Sequence, residues 1–120
     1  MASDHMVSPK MRRGVKRCYE ALLAESLEIH RYSGTVFDVA FQIITAETFV
    51  AGVATKILDR EVVSPEEAAV IKNPLVLEGS LWRCDDGQTF DLKPFPQVHR
   101  TAIRVESLRA KCYDALDCSQ

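Results

Sequence analysis

The sequence has few of the residue patterns that identify an enzyme or a metalloprotein. It contains no glycine-rich phosphate loop, no nucleophile elbow and no His/Glu metal motif. Its four cysteines stand at positions 18, 84, 112 and 118 and lack the paired short spacings of a zinc site. Because these patterns are missing, we expect no metal site, no cofactor and no catalytic residues of these classes.

Segments that would place the chain in a membrane or in the secretory route are missing as well. Apart from residues 35–60, which include charged residues such as Glu47, there is no run of about 18 mainly apolar residues. Residues 1–5 resemble an expression remnant, and no short apolar segment follows the charged N-terminus, so we expect no signal peptide. We therefore predict a cytoplasmic protein with no membrane partner, in which residues 6–120 form a single globular domain.

The stretch from Thr35 to Arg60 is the longest apolar-rich run, and its polar residues favour a helix. At about 100° per residue, most polar positions fall within one sector of about 140°, and most aliphatic residues occupy the opposite side. A strand with a period of two would instead mix polar and aliphatic residues on one face. We therefore predict a helix of about 25 residues, N-capped by Thr35 in an acidic variant of the capping box with Asp38.

Three residues of this helix depart from the pattern. Phe41 and Phe49 fall on the polar side, and Glu47 falls on the apolar side. Apolar residues outside the core face are typical of a helix with a second neighbour. We therefore predict that Phe41 and Phe49 contact a protein partner, which includes the possibility of a homodimer through this helix.

A first amphipathic helix precedes this stretch. Ser8 and Pro9 supply a cap and a first-turn proline, and apolar residues recur at three- and four-residue steps until about Tyr32. The tripeptide Ser33-Gly34-Thr35 would then end one helix and cap the next. So short a link predicts that the two long helices run antiparallel.

The second half of the chain mixes helix and strand signals. Ser64-Pro65-Glu66-Glu67 forms a capping box that opens a short helix, which Asn73-Pro74 ends. Asp86-Gly87 is a favoured hairpin turn between two extended segments. A last helix begins at about Val98 and carries apolar residues along one side.

A two-residue turn at Asp86-Gly87 sets the predicted register of the hairpin. Leu81 would face Leu92 and Arg83 would face Phe90, which leaves Trp82 on the opposite face. The predicted fold is therefore mostly α. It has a four-helix core of two long antiparallel helices, one short capped helix and one C-terminal helix, with a β-hairpin inserted before the last helix.

The hairpin is one candidate recognition surface. Tryptophan and arginine are frequent interface anchors, so Trp82 and Arg83, with Phe90 on the facing strand, join the candidate partner-binding residues. Trp82 would equally serve as a cover over the helices. The adjacent acids Asp85 and Asp86 fit turn chemistry and lack the further oxygen ligands of a calcium loop.

A basic cluster at the start of the first helix is a second candidate surface. It consists of Arg12, Arg13, Lys16 and Arg17. Such a cluster is commonly a solvated helix start, and as a binding patch it would suit nucleic acid or an acidic protein. The net charge of −2 and the absence of interleaved aromatic residues make nucleic acid the weaker of these partners.

A third candidate is a small enzyme that uses Cys84 as a nucleophile. A thiol nucleophile needs a nearby base, for which the chain offers His30 and His99. Nothing in the spacing of these residues requires such a pair. We therefore expect a small non-enzymatic protein-interaction domain, such as an adaptor, an inhibitor or an immunity-type binder. Nucleic-acid binding and cysteine-dependent catalysis are its alternatives.

Overall fold

Four α-helices, one 3₁₀ helix and a small sheet make up the part of the chain that the computed structural model describes. This part comprises the backbone of residues 7–118 and the side chains of residues 7–117. The remnant predicted at residues 1–5 lies outside the described residues. The elements are α1 (Pro9–Leu23), the 3₁₀ helix (Ile29–Arg31), α2 (Gly34–Leu58), α3 (Pro65–Ile71), β1 (Leu77–Glu78), β2 (Leu81–Arg83), β3 (Thr89–Asp91) and α4 (Pro96–Cys118). The predicted fold class is confirmed, with the hairpin enlarged to three strands.

Helix α1 begins as predicted but ends earlier. The Ser8 hydroxyl accepts a hydrogen bond from the Met11 backbone N–H at 3.1 Å, and Pro9 occupies the first turn. The predicted end at about Tyr32 is wrong, because α1 stops at Leu23. Contacts with distant residues hold the following segment: Glu25 pairs with two arginines of α4, and the Tyr32 ring packs edge-on against Phe95. Tertiary packing thus overrides the helical periodicity of this segment.

The connection to α2 is longer than predicted, because residues 24–33 and their 3₁₀ helix separate the two helices. The predicted N-cap Thr35 is also wrong. Ser33 occupies the N-cap position without a side-chain cap, and Gly34 opens the helix with φ of 67°. The helices are nevertheless antiparallel, since Arg12 near the start of α1 donates to the carbonyl of Ile57 near the end of α2.

Helix α2 is the central element of the core. By length and composition it is apolar enough to cross a membrane, a property that core helices share. It packs against α1 and α4. Its buried residues are Val36, Val39, Ala40, Ile43, Val50, Val53, Ala54 and Ile57.

Helix α3 confirms the capping box. The Ser64 hydroxyl accepts from the Glu67 backbone N–H at 3.1 Å, and the Glu67 carboxylate accepts from the Ser64 N–H at 3.0 Å. Both oxygens of Glu67 also lie 2.9 Å from Lys56 Nζ, which ties α3 to α2. The backbone N–H of Ser64, helped by Lys56, lowers the pKa of Glu67.

The antiparallel sheet has the strand order β1-β2-β3, and its register differs from the predicted one. Leu81 pairs with Asp91, Trp82 with Phe90 and Arg83 with Thr89. The physical reason is the turn, which has three residues because Cys84 N–H bonds to Gln88 O at 2.7 Å. Its last residue, Gly87, has φ of 87°, which is typical of three-residue hairpin loops. Trp82 and Phe90 therefore share one face of the sheet.

Helix α4 closes the core along its whole length. Its buried residues include Val98, Ala102, Val105, Leu108 and Cys112. Beside them, the buried Arg109 donates to the Ile71 carbonyl at 2.6 Å and makes two 2.8 Å bonds to the Glu106 carboxylate. Glu106 also accepts from the Leu75 backbone N–H at 3.0 Å. This network anchors the segment after α3 to α4.

Candidate protein-interaction surface

Two phenylalanines stand side by side on the outer surface of α2. Phe37 and Phe41 lie one helical turn apart, and their rings stack with centroids 6.5 Å apart and planes inclined by 10°. Phe41 is 57% exposed and Phe37 is 36% exposed. The prediction that Phe41 lies outside the core face is therefore consistent with its position. Phe37 was missed, although its spacing of four residues from Phe41 was a signal for the pair.

A groove of about 570 Å³ runs beside this pair, between the first half of α2 and the segment that enters β1. We call it the aromatic groove. Its lining is largely apolar and includes Val76, which is 45% exposed. The lining residues are Phe37, Asp38, Phe41, Gln42, Thr45, Ala46, Pro74, Leu75, Val76, Trp82 and Asp85.

Trp82 forms part of this groove but is itself buried, with 3% of its surface exposed. Its indole Nε1–H donates to Gln42 Oε1 at 3.0 Å. A buried tryptophan N–H needs such a partner, so this bond fixes β2 against α2. Trp82 therefore covers the helices and gives the groove a rigid wall.

The other three predicted partner-binding residues lie apart from the groove. Phe49 is half-buried against the core, and the half-buried Phe90 stacks on Phe95 with centroids 5.9 Å apart. Arg83 is exposed, on the sheet face opposite to Trp82. The structure thus brings Phe41 and Trp82 together and leaves Phe49, Phe90 and Arg83 elsewhere.

Carboxylates border the aromatic groove. Asp38 and Asp85 line both this groove and a neighbouring pocket of about 480 Å³, which also contains Cys84 and Asp86. Among the residues that the structure describes, no group of three or more His, Cys, Asp or Glu side chains is arranged to hold a metal ion. The local negative charge therefore favours a partner with cationic groups. A partner without such groups would bind better at high salt, which screens the carboxylates.

The surroundings of Cys84 do not activate its thiol. Burial, followed by the charges of Asp86, Asp85 and Asp38, raises the pKa of Cys84. A thiol nucleophile needs a lowered pKa. The His99 ring shares a hydrogen bond with the Gly79 carbonyl, with 2.9 Å between Nε2 and the oxygen. Within residues 7–118, no hydrogen bond joins a histidine to Cys84.

The basic cluster of α1 is divided between two roles. Arg12 is half-buried and donates to the carbonyls of Ile57 and Val7, so it helps to join α1 to α2. Arg13, Lys16 and Arg17 are exposed. Arg13 and Lys16 line a second groove together with Arg12, whereas Arg17 does not. The four residues therefore do not form one continuous stripe.

Comparison of the chain with protein-family models, with curated proteins and with solved structures finds no match.

Proposed function

We propose that this protein is a non-enzymatic protein-interaction domain that forms a homodimer through the aromatic groove. The observation that carries the proposal is the exposure of the stacked Phe37–Phe41 pair on an otherwise core-forming helix. Aromatic residues are enriched at protein interfaces, and an exposed apolar patch beside a preformed groove is typical of them.

A two-fold pairing suits this surface because the two rings lie along one helix. In such a pair, α2 of each copy would place its Phe41 against the groove of the other. The pairing would also bring Asp38 and Asp85 of each copy near those of its partner. Like charges at an interface weaken binding and are screened by salt, so the proposed dimer is weak and strengthens as salt rises.

The state of the cysteines suits a particular cellular location. Cys18, Cys84 and Cys112 are free thiols, which suits the reducing cytoplasm. We place the protein there, with no membrane partner, no cofactor and no metal. The raised pKa of Cys84 argues against the alternative of a cysteine-dependent enzyme that uses this thiol.

Light scattering across a dilution series tests the proposal. The wild-type chain is expected to show a dimer at high concentration that dissociates on dilution, with a lower dissociation constant in high salt. Phe41→Ser removes one ring from each copy. At about 1 kcal/mol or more of lost burial per ring, the dissociation constant rises at least about thirtyfold.

Ile103→Ser is the matched control, because Ile103 is a 46% exposed aliphatic residue on α4 outside the groove. This variant is expected to dimerise like the wild type. A strict monomer at high concentration, or equal losses in both variants, would contradict the homodimer.

The second candidate function is nucleic-acid binding through Arg13, Lys16 and Arg17, the exposed cations of the basic cluster on α1. Phosphate contacts are strongest at low salt. The candidate predicts measurable binding of DNA or RNA at low salt, lost when Arg13 and Lys16 are replaced by alanine. Absence of binding under those conditions would end it.

A further inference from the structure

A second groove, of about 650 Å³, lies between α1 and the end of α2. We call it the cationic groove. Its floor and sides combine aromatic and aliphatic surface with the heads of several cations. Its lining includes the cations Arg12, Arg13, Lys16 and Arg60 and the side chains of Tyr19 and Leu23.

The cationic groove has a polar end, where its cations lie, and an opposite end where Tyr19 and the exposed Leu23 flank the carboxylate-bearing Glu20. Arg13 and Lys16 lie within the first eight residues of α1, and Arg60 lies two residues beyond the end of α2. The antiparallel helices bring these ends together. Leu23, which is 55% exposed, lies seven residues beyond Lys16, or about 10 Å further along α1. Tyr19 lies between them.

Among the described residues, few negative charges compensate the cations at the polar end. Of the described residues that line the groove, Glu20 is the single carboxylate, against four cations. In the described part of the chain, no ion pair or side-chain hydrogen bond engages Arg13, Lys16 or Arg60, whereas Arg12 is held by backbone carbonyls. The polar end therefore has several cationic heads able to bind an anion.

The backbone at Arg60 ends α2 and positions this cation. Arg60 has φ of 60°, in the left-handed region that favours glycine. Its N–H bonds to the Ile57 carbonyl at 3.3 Å, and the Glu61 N–H bonds to the Lys56 carbonyl at 2.8 Å, so Arg60 occupies the glycine position of a Schellman motif. An arginine in this conformation costs stability, and the motif holds Arg60 just beyond the end of α2.

We propose that the cationic groove binds a small amphipathic anion, namely a linear aliphatic carboxylate. The carboxylate lies among Arg13, Lys16 and Arg60, and the alkyl chain follows the apolar wall toward Tyr19 and Leu23. Grouping of the cations at one end of an apolar groove suits a ligand with one charged head. This site is separate from the aromatic groove.

The test uses decanoate below its micelle concentration, followed by calorimetry and by the amide resonances of the ¹⁵N-labelled protein. Acetate lacks the tail, and decyltrimethylammonium carries the opposite charge on the same tail. Decanoate is expected to bind at least tenfold more tightly than either probe. The shifted amides are expected in α1 and around Leu58–Arg60. Added salt weakens the binding of decanoate.

Two substitutions distinguish binding in the cationic groove from a general attraction between the anion and the cations of the protein. Arg60→Gly removes a cation at the polar end while relieving the backbone, and it is expected to weaken decanoate binding about tenfold in a protein that remains folded. Arg17→Ala removes the same charge from α1 outside the groove and is expected to leave binding unchanged. The proposal is overturned if decanoate binds no better than acetate or the cationic probe, or if both variants lose binding equally.

Discussion

Replacement of Arg60 by glycine is expected to stabilise the protein. A non-glycine residue in the left-handed conformation costs about 1–2 kcal/mol. Glycine removes this cost but loses about 0.5–1 kcal/mol through the greater freedom of the unfolded chain. Arg60 is exposed, and its side chain has no ion pair among the described residues that would be lost. The net gain in the free energy of unfolding is therefore about 0.5–1 kcal/mol.

Urea denaturation followed by the far-UV circular dichroism of the helices measures this gain. With an m-value of about 1.5 kcal/mol per molar, the midpoint for Arg60→Gly rises by about 0.3–0.7 M at an unchanged m-value. Arg60→Ala is the control, because alanine keeps the steric cost of positive φ and is expected to give no such gain. A glycine variant with a midpoint equal to or below that of the alanine variant would contradict a steric cost at Arg60.

Three further substitutions test individual contacts by urea denaturation at different pH values. Burial raises the pKa of Glu47, so its ionised form is disfavoured in the folded protein; Glu47→Gln is expected to stabilise the protein at pH 7, with the gain vanishing below the ordinary value of 4.5. For Glu106, burial acts to raise the pKa, but the hydrogen bonds from Arg109 and the Leu75 backbone outweigh it and the pKa is lowered. Glu106→Gln is therefore expected to destabilise the protein at pH 7, and this loss should shrink as the pH falls below 4.5 and through the folded pKa. Ser64→Ala removes one side of the capping box and is expected to cost about 1 kcal/mol, whereas an unchanged midpoint would show that Glu67 holds the α3 start alone.

Local signals of the sequence were sufficient for several elements. The capping box at Ser64 and Glu67 needs only residues three positions apart, and the structure has both of its hydrogen bonds. The start of α1 at Ser8 and Pro9 rests on equally local chemistry. The apolar periodicity of α2 predicted the helix correctly, because one broad face of α2 packs against α1 and α4.

The errors arose where distant contacts or turn geometry decide the structure. The end of α1 depends on Glu25 and Tyr32 meeting residues of α4 and of the segment before it, which lie more than 60 positions away. The hairpin register depends on one additional residue in the loop before Gly87, and a shift of one residue moves every side chain to the other face. Because of the same shift, Trp82 pairs with Phe90 and lies on the same face of the sheet, whereas the predicted register put the two residues on opposite faces.

The candidate site was only partly predictable for a related reason. The helical pattern placed Phe41 outside the core face, but the same pattern placed Phe49 there, and it is half-buried. The cationic groove forms only where Arg60 approaches α1. These residues are far apart in the sequence, so no local pattern predicts the groove. Exposure of a helix residue is set by which neighbours cover that side, so it follows from the tertiary packing.

The most direct test of the proposed homodimer is to follow the amide resonances of the ¹⁵N-labelled protein from dilute to concentrated solution. The proposed dimer predicts concentration-dependent shifts for residues 37–46 and 74–76, which border the aromatic groove, and their loss in Phe41→Ser. Resonances that do not change with concentration, or changes confined to residues outside this groove, would contradict it.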